Sequence, residues 1–206
     1  MRLNLKNNYF VILFTVIGIL IFTQCGKPET DDSRLGLEVD STKFGKYISD
    51  NSLQIEYYAP IDWKHMQSEI SEKNESLINK RKAKERYIYS PSHIFFNDST
   101  RSILNVGEVN DSSNNGKPDS LIINYVNMLT AKFEGDDFYV EDLEPNDVKL
   151  KQFMIKKPQI VSYKIIFENK KGKLIQFDYT VPNQFFEAER IAISSSISTI
   201  RYLKEN

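Results

Sequence analysis

The chain has 206 residues, 40% hydrophobic and 12% aromatic, with 27% charged and a formal net charge of −1 at pH 7. That is the composition of one globular domain with enough Phe and Tyr to build a core, and it lacks the basic field by which nucleic-acid binders hold phosphate, so no nucleic-acid partner is expected. One cysteine excludes an internal disulfide, and with two histidines beside it the usual zinc and iron ligand sets are short of members, so no metal or other cofactor is expected.

In chain order, Arg2 and Lys6 precede an uncharged run from Tyr9 to Phe22, too short for a helix to cross a bilayer and of the length found in signal peptides. Cys25 follows, and then the chain turns polar through Lys27, Pro28, Glu29, Asp31 and Asp32. "ILIFTQC" resembles the lipobox of bacterial lipoproteins, with Gln24 where a small residue is usual. The resemblance implies cleavage before Cys25 and a diacylglyceryl group on its sulfur. The acidic residues beyond it resemble export signals for the cell surface. Residues 1–24 are therefore expected to be a signal peptide, 25–46 a lipidated cysteine and flexible tether, and 47–206 a single domain. The implied address is a bacterial cell envelope, at the outer membrane or cell surface. Two or three acyl chains hold a protein durably where one does not.

Within the domain, "LQIEYY" (53–58) is β-rich and stops at Ala59-Pro60. The charged segment 62–86 places Met66, Ile70 and Leu77 at helical spacing and reads as a solvated helix. Its basic end, 79–86, has the charge to touch anionic lipid. Residues 93–97 and 102–109 predict paired strands. The spacing of Ile122, Val126, Leu129 and Phe133, widened by Leu121 and Tyr125, predicts a helix over 120–133, capped by Asp119 or Ser120. Strands are predicted over 148–155, 159–168 and 173–181, a meander with one face buried; "NKKG" (169–172) turns the second pair. The tail, 184–203, fits both helix and strand, and helix is preferred because Glu187 and Glu189 suit a first turn.

"LQIEYYAPIDW" near the front and "FDYTVPNQFFEAERIAISSSISTI" at the end together resemble the Mog1/PsbP-like group. The matching positions are Pro60 to Trp63, then Phe177, Tyr179 and Pro182, then Ser196 and Ile200. The resemblance spans about residues 50–203, with 64–86 as an elongation. It implies an α+β fold, an antiparallel sheet of about six strands flanked by helices as an α/β sandwich. It also implies a domain that binds or supports other proteins, with no shared catalytic set.

Three constellations carry chemistry. Asp111, Ser113, Asn115 and Asp119 stand at positions 1, 3, 5 and 9 of a calcium-type loop with Gly116 at 6, but Ile122 replaces the bidentate Glu, and an Asn-Gly turn followed by an Asp cap is the preferred reading. The serines of "ISSSIST" lack a nucleophile elbow and read as small residues between helix and sheet, while His93 reads as a strand-end residue. Asp62 and His65 stand three apart, where Asp62 reads as a helix cap. Tyr57, Tyr58, Trp63 and Tyr179 are candidate walls of a cavity, or core. The favoured expectation is a non-enzymatic, membrane-anchored domain that binds a protein partner. A small-molecule or glycan carrier with an aromatic-lined cavity comes second, and a hydrolase third. A cavity with converging polar groups separates the second from the first.

Overall fold

The computed structural model describes residues 37–66, 85–113 and 121–204. A 3₁₀ turn at Ser41–Lys43 leads into β1 (Phe44–Asp50), β2 (Ile55–Pro60), β3 (Lys64–His65), β4 (Tyr87–Phe96) and β5 (Ile103–Asp111). Helix α1 (Leu121–Phe133) follows, then β6 (Asp137–Leu143), β7 (Leu150–Lys156), β8 (Ile160–Glu168) and β9 (Leu174–Pro182). Helix α2 (Phe186–Ser198) and β10 (Arg201–Tyr202) close the chain. A three-stranded sheet runs β1-β2-β10 and a seven-stranded sheet runs β3-β4-β5-β9-β8-β7-β6, antiparallel throughout. The fold is an α+β sandwich, with more strands than the sequence predicts.

Alternation in the large sheet sorts its side chains onto two faces. On one face Tyr163, Ile165 and Phe167 of β8 and Ile175, Phe177 and Tyr179 of β9 join Ile193 and Ile197 of α2 and Ile55 and Tyr57 of β2 in the main core. On the other, Phe153, Ile155, Ile166 and Leu174 receive Tyr125, Leu129 and Phe133 of α1. Both faces of the meander are thus covered, which corrects the one-sided reading: Ile165, Ile166 and Phe167 are buried in succession. The α1 stripe is the predicted one, centred on Tyr125 and Leu129.

Helix α2 is shorter than predicted. The Thr199 hydroxyl donates to the Ser196 carbonyl at 2.6 Å and accepts the Tyr58 N–H at 2.9 Å, and this ties the chain to β2 as the helix ends. Residues 201–202 then pair with β2 as a strand. Its serines are structural. The Ser194 and Ser195 hydroxyls accept the Glu38 and Asp40 N–H groups, and Ser196 donates to the Tyr58 carbonyl while bonding the Tyr179 hydroxyl.

These contacts also move the domain boundary. Residues 37–46, expected as tether, are fixed against α2 and β2, since β1 begins at Phe44 and was not foreseen. Edge strand β6 was likewise not foreseen: its exposed residues, Asp137, Val140 and Asp142, follow no strict alternation of polar and apolar. The predicted start of the 62–86 helix is corrected: Asp62 has φ 65° and so caps no helix, and Lys64 and His65 pair with Phe96 and Phe95 in a strand. Residues 67–84 lie outside the described residues. The predicted hairpin of β4 and β5 is longer than expected and shifts register between Pro91 and His93. At that shift a Cβ on Gly107 would overlap the Ser90 carbonyl, so the close approach requires glycine.

Candidate binding cleft

Beyond the apolar contacts of α1, the large sheet and the helix part to leave a cleft of about 570 Å³. Its floor comes from β8 and β9, one wall from residues 85–89 at the start of β4, and the other from Asn124, Tyr125, Met128, Leu129 and Lys132 of α1. Pockets that take drug-sized ligands have such volumes and place a few polar groups among apolar ones.

The polar groups form a connected set. Tyr125 donates its hydroxyl to Gln176 Oε1 at 2.7 Å, and Tyr89 donates to the Gln176 backbone carbonyl at 3.3 Å. Lys164 Nζ bonds Asp178 Oδ2 at 2.5 Å, and Ser162 donates to Asp178 Oδ1 at 3.1 Å. Both members of that ion pair are largely shielded, with side chains 16% and 18% exposed. The Tyr87 ring meets Tyr125 edge-on at 5.2 Å, with the Arg86 guanidinium 5.1 Å from its centroid. The Tyr87 hydroxyl is buried and has no hydrogen-bond partner among the described residues. Burial raises the pKa of all three tyrosines, and the Asp178 charge adds to it for Tyr89 and Tyr125, so each is a neutral donor at physiological pH.

Among the described residues the cation at the floor, Lys164, is held by the Asp178 carboxylate, and the tyrosine hydroxyls are un-ionised. Among the described residues no three His, Cys, Asp or Glu side chains converge as a cation site.

The four aromatics proposed from the sequence are not brought together in one cavity. Trp63 and Tyr179 fill the main core: the indole N–H donates to Glu189 Oε2 at 3.0 Å, and the two rings meet at 6.2 Å. Tyr57 is fully buried against Phe177. Tyr57 and Tyr58 do border a second groove, of about 370 Å³, with Val39, Phe44 and Tyr47 on its rim. Of the calcium-type loop, Asp111 and Ser113 are described. Asp111 Oδ1 accepts the N–H and hydroxyl of Ser113, and Oδ2 accepts from Arg86. Asn115 and Asp119 lie outside the described residues, as does Cys25.

A cluster the sequence reading missed joins His65, His93 and Asp50. His93 Nε2 is 2.7 Å from Asp50 Oδ2, and His93 Nδ1 is 3.3 Å from His65 Nε2. With the carboxylate accepting from His93, the His65 Nε2–H donates to His93, and His65 Nδ1 is left bare and buried. His93 lies within β4, not at a strand end. No local signal links residues 28 and 43 apart; only the sheet register does.

No protein-family model matches the chain, and no curated protein matches it either. Among solved structures the chain is similar to the solution structure of cyanobacterial PsbP (CyanoP) from Synechocystis sp. PCC 6803, at 14% identity and a TM-score of 0.45, covering 78% of this chain and 93% of that one. It is also similar to a crystal structure from Bacteroides thetaiotaomicron VPI-5482, at 13% identity and a TM-score of 0.42, covering 78% of this chain and 49% of that one, so the chain spans about half its length. The described residues form an antiparallel sheet flanked by helices.

Proposed function

We propose that this chain is a lipid-anchored protein of a bacterial cell envelope whose domain binds rather than catalyses, with the cleft beneath α1 as its binding site for a small polar ligand. The cleft supports the reading: about 570 Å³ lined by three neutral tyrosines, an amide and a shielded Lys164–Asp178 pair. The cleft also favours the carrier over the protein-partner reading, because hydroxyl, amide and charged groups converge inside a concavity. Mass spectrometry of the protein taken from native membranes under non-denaturing conditions tests it. A bound small molecule that is lost in Tyr87→Ala is the expected result, and an empty chain from every preparation contradicts it.

The anchor is tested separately. Cys25→Ala releases the protein from the membrane fraction if the sulfur carries the lipid; unchanged partitioning removes the envelope address.

A protein partner is the second reading. It is favoured by the apolar groove on the small sheet, where Val39 is 60% and Tyr47 43% exposed beside Phe44 and Tyr58. Tyr47→Ser would abolish capture of such a partner without touching the cleft.

A further inference from the structure

We infer that the ligand of the cleft is an uncharged, hydroxyl-rich molecule of saccharide type, a deepening that rests on the cleft being the binding site. The first argument is charge. Five ionisable side chains other than tyrosine line the cleft: Glu85, Arg86, Lys132, Lys164 and Asp178. Lys164 is held by Asp178, and Arg86 by Asp111 from the adjoining strand end. Glu85 and Lys132 at the rim contribute one charge of each sign. At the floor an anion or cation would have to break the shielded Lys164–Asp178 pair, and the more exposed Arg86 already has its charge matched by Asp111, so little net field draws a charged ligand in.

The second argument is the form of the polar groups. Tyr87 lines the cleft with a hydroxyl that has no partner among the described residues, Gln176 has its Oε1 taken by Tyr125 so that the remaining donors are on Nε2, and Asn124 adds a further amide. Each can give or accept single hydrogen bonds, and a buried hydroxyl left without one is costly. A ligand with many hydroxyls supplies both roles at once. The third is the apolar strip. Ile88, Met128 and Leu129 lie in the same cleft beside the Tyr87 and Tyr125 rings, as the C–H face of a pyranose ring requires. An aliphatic ligand would bury the amides and hydroxyls unpaired. A flat aromatic ligand would satisfy few of them.

Titration calorimetry on the full chain, held in a detergent without a sugar headgroup, tests the class. The probes are cello-, malto-, xylo- and chitotetraose, with tetragalacturonate, inorganic phosphate and glycine as charged comparisons. At least one neutral oligosaccharide binds, with an affinity that does not change between low and high salt. Tyr87→Ala weakens it about tenfold or more. Asn124→Leu, a half-buried helix position tolerant of leucine, blocks the cleft without removing a ring and weakens it similarly. Binding of galacturonate, phosphate or glycine with no neutral sugar overturns the class and leaves the cleft as the site. Binding of none of the probes overturns both the class and the cleft, provided the protein melts cooperatively.

Discussion

The two faces of the large sheet put similar residues to different uses. On the α2 face, aromatic rings are packed against one another and every serine of the helix run holds backbone: Tyr57, Phe177 and Tyr179 are fully buried, and Ser194, Ser195 and Ser196 pin the entering chain and β2. On the α1 face, Tyr87, Tyr89 and Tyr125 border open volume, whereas the buried hydroxyls of Tyr57 and Tyr163 on the α2 face, without a hydrogen-bond partner among the described residues as is that of Tyr87, have rings packed against them. The difference shows that an aromatic cluster identifies a site only where packing leaves volume beside it. Substitutions on the α2 face should therefore cost stability, and those on the α1 face should cost binding.

The largest effect is expected at the centre of the filled face. Phe177→Ala leaves a cavity among Tyr57, Phe167 and Tyr179 and should destabilise by about 3–5 kcal/mol, measured by urea denaturation. Next is Glu189, buried at 6% exposure, which accepts from Trp63, Asn97 and Thr100. Glu189→Ala strands the Trp63 and Asn97 donors, while Thr100 keeps Ser102 as an acceptor, and should cost about 2–3 kcal/mol, with a shift of Trp63 fluorescence reporting the lost indole bond. A cost within error would show that the network contributes nothing. Ser196→Ala removes the bonds to the Tyr58 carbonyl and the Tyr179 hydroxyl and should cost about 1 kcal/mol. On the open face Tyr125→Phe loses one hydroxyl bond to Gln176 and should change stability by less than about 1 kcal/mol while weakening ligand. The reverse ranking would erase the contrast between the faces.

A last, smaller effect depends on pH. Burial, followed by the Lys46 and His93 charges, holds His65 below the usual histidine value of 6.5. The unfolded chain then binds more protons than the folded one below pH 6.5, so this contribution is complete above 6.5 and is lost as pH falls towards the folded pKa. Asp50 is also held low: burial pushes it up, but the N–H groups of Leu53 and Ser52 and the bond from His93 outweigh that, so its contribution is lost only below 3.8. Thermal melts between pH 8 and 5 should fall on the acid side and flatten in His65→Gln; an identical pH slope in the variant removes His65 as the cause.

The sequence made the meander, the β4–β5 hairpin and α1 legible because each carries periodicity over its own length, while α2, whose pattern fits a strand as well, was reached only through the acidic first turn at Glu187 and Glu189. It did not reveal β1 or β6, whose residues face a partner on one side and water on the other, nor the strand at Lys64–His65, which only its pairing with Phe95 and Phe96 creates. The cleft was harder still. Tyr57, Tyr58, Trp63 and Tyr179 were as good candidates as Tyr87, Tyr89 and Tyr125 by type, and what separates them is distance between a helix and a sheet. Tyr87 and Tyr125 are 38 residues apart, and Lys164 pairs with Asp178 because β8 and β9 set them opposite one another. Such juxtapositions follow from register, which a single sequence specifies through its hydrophobic pattern without displaying it.

The most direct test of the account is an NMR titration of the folded protein with the small-molecule fraction of a bacterial envelope. Saturable perturbations should concentrate at Tyr87, Tyr89, Tyr125, Lys164 and Gln176 and leave Phe44, Tyr47 and Tyr58 unmoved. Perturbations confined to Phe44, Tyr47 and Tyr58, or none at any concentration, would contradict it.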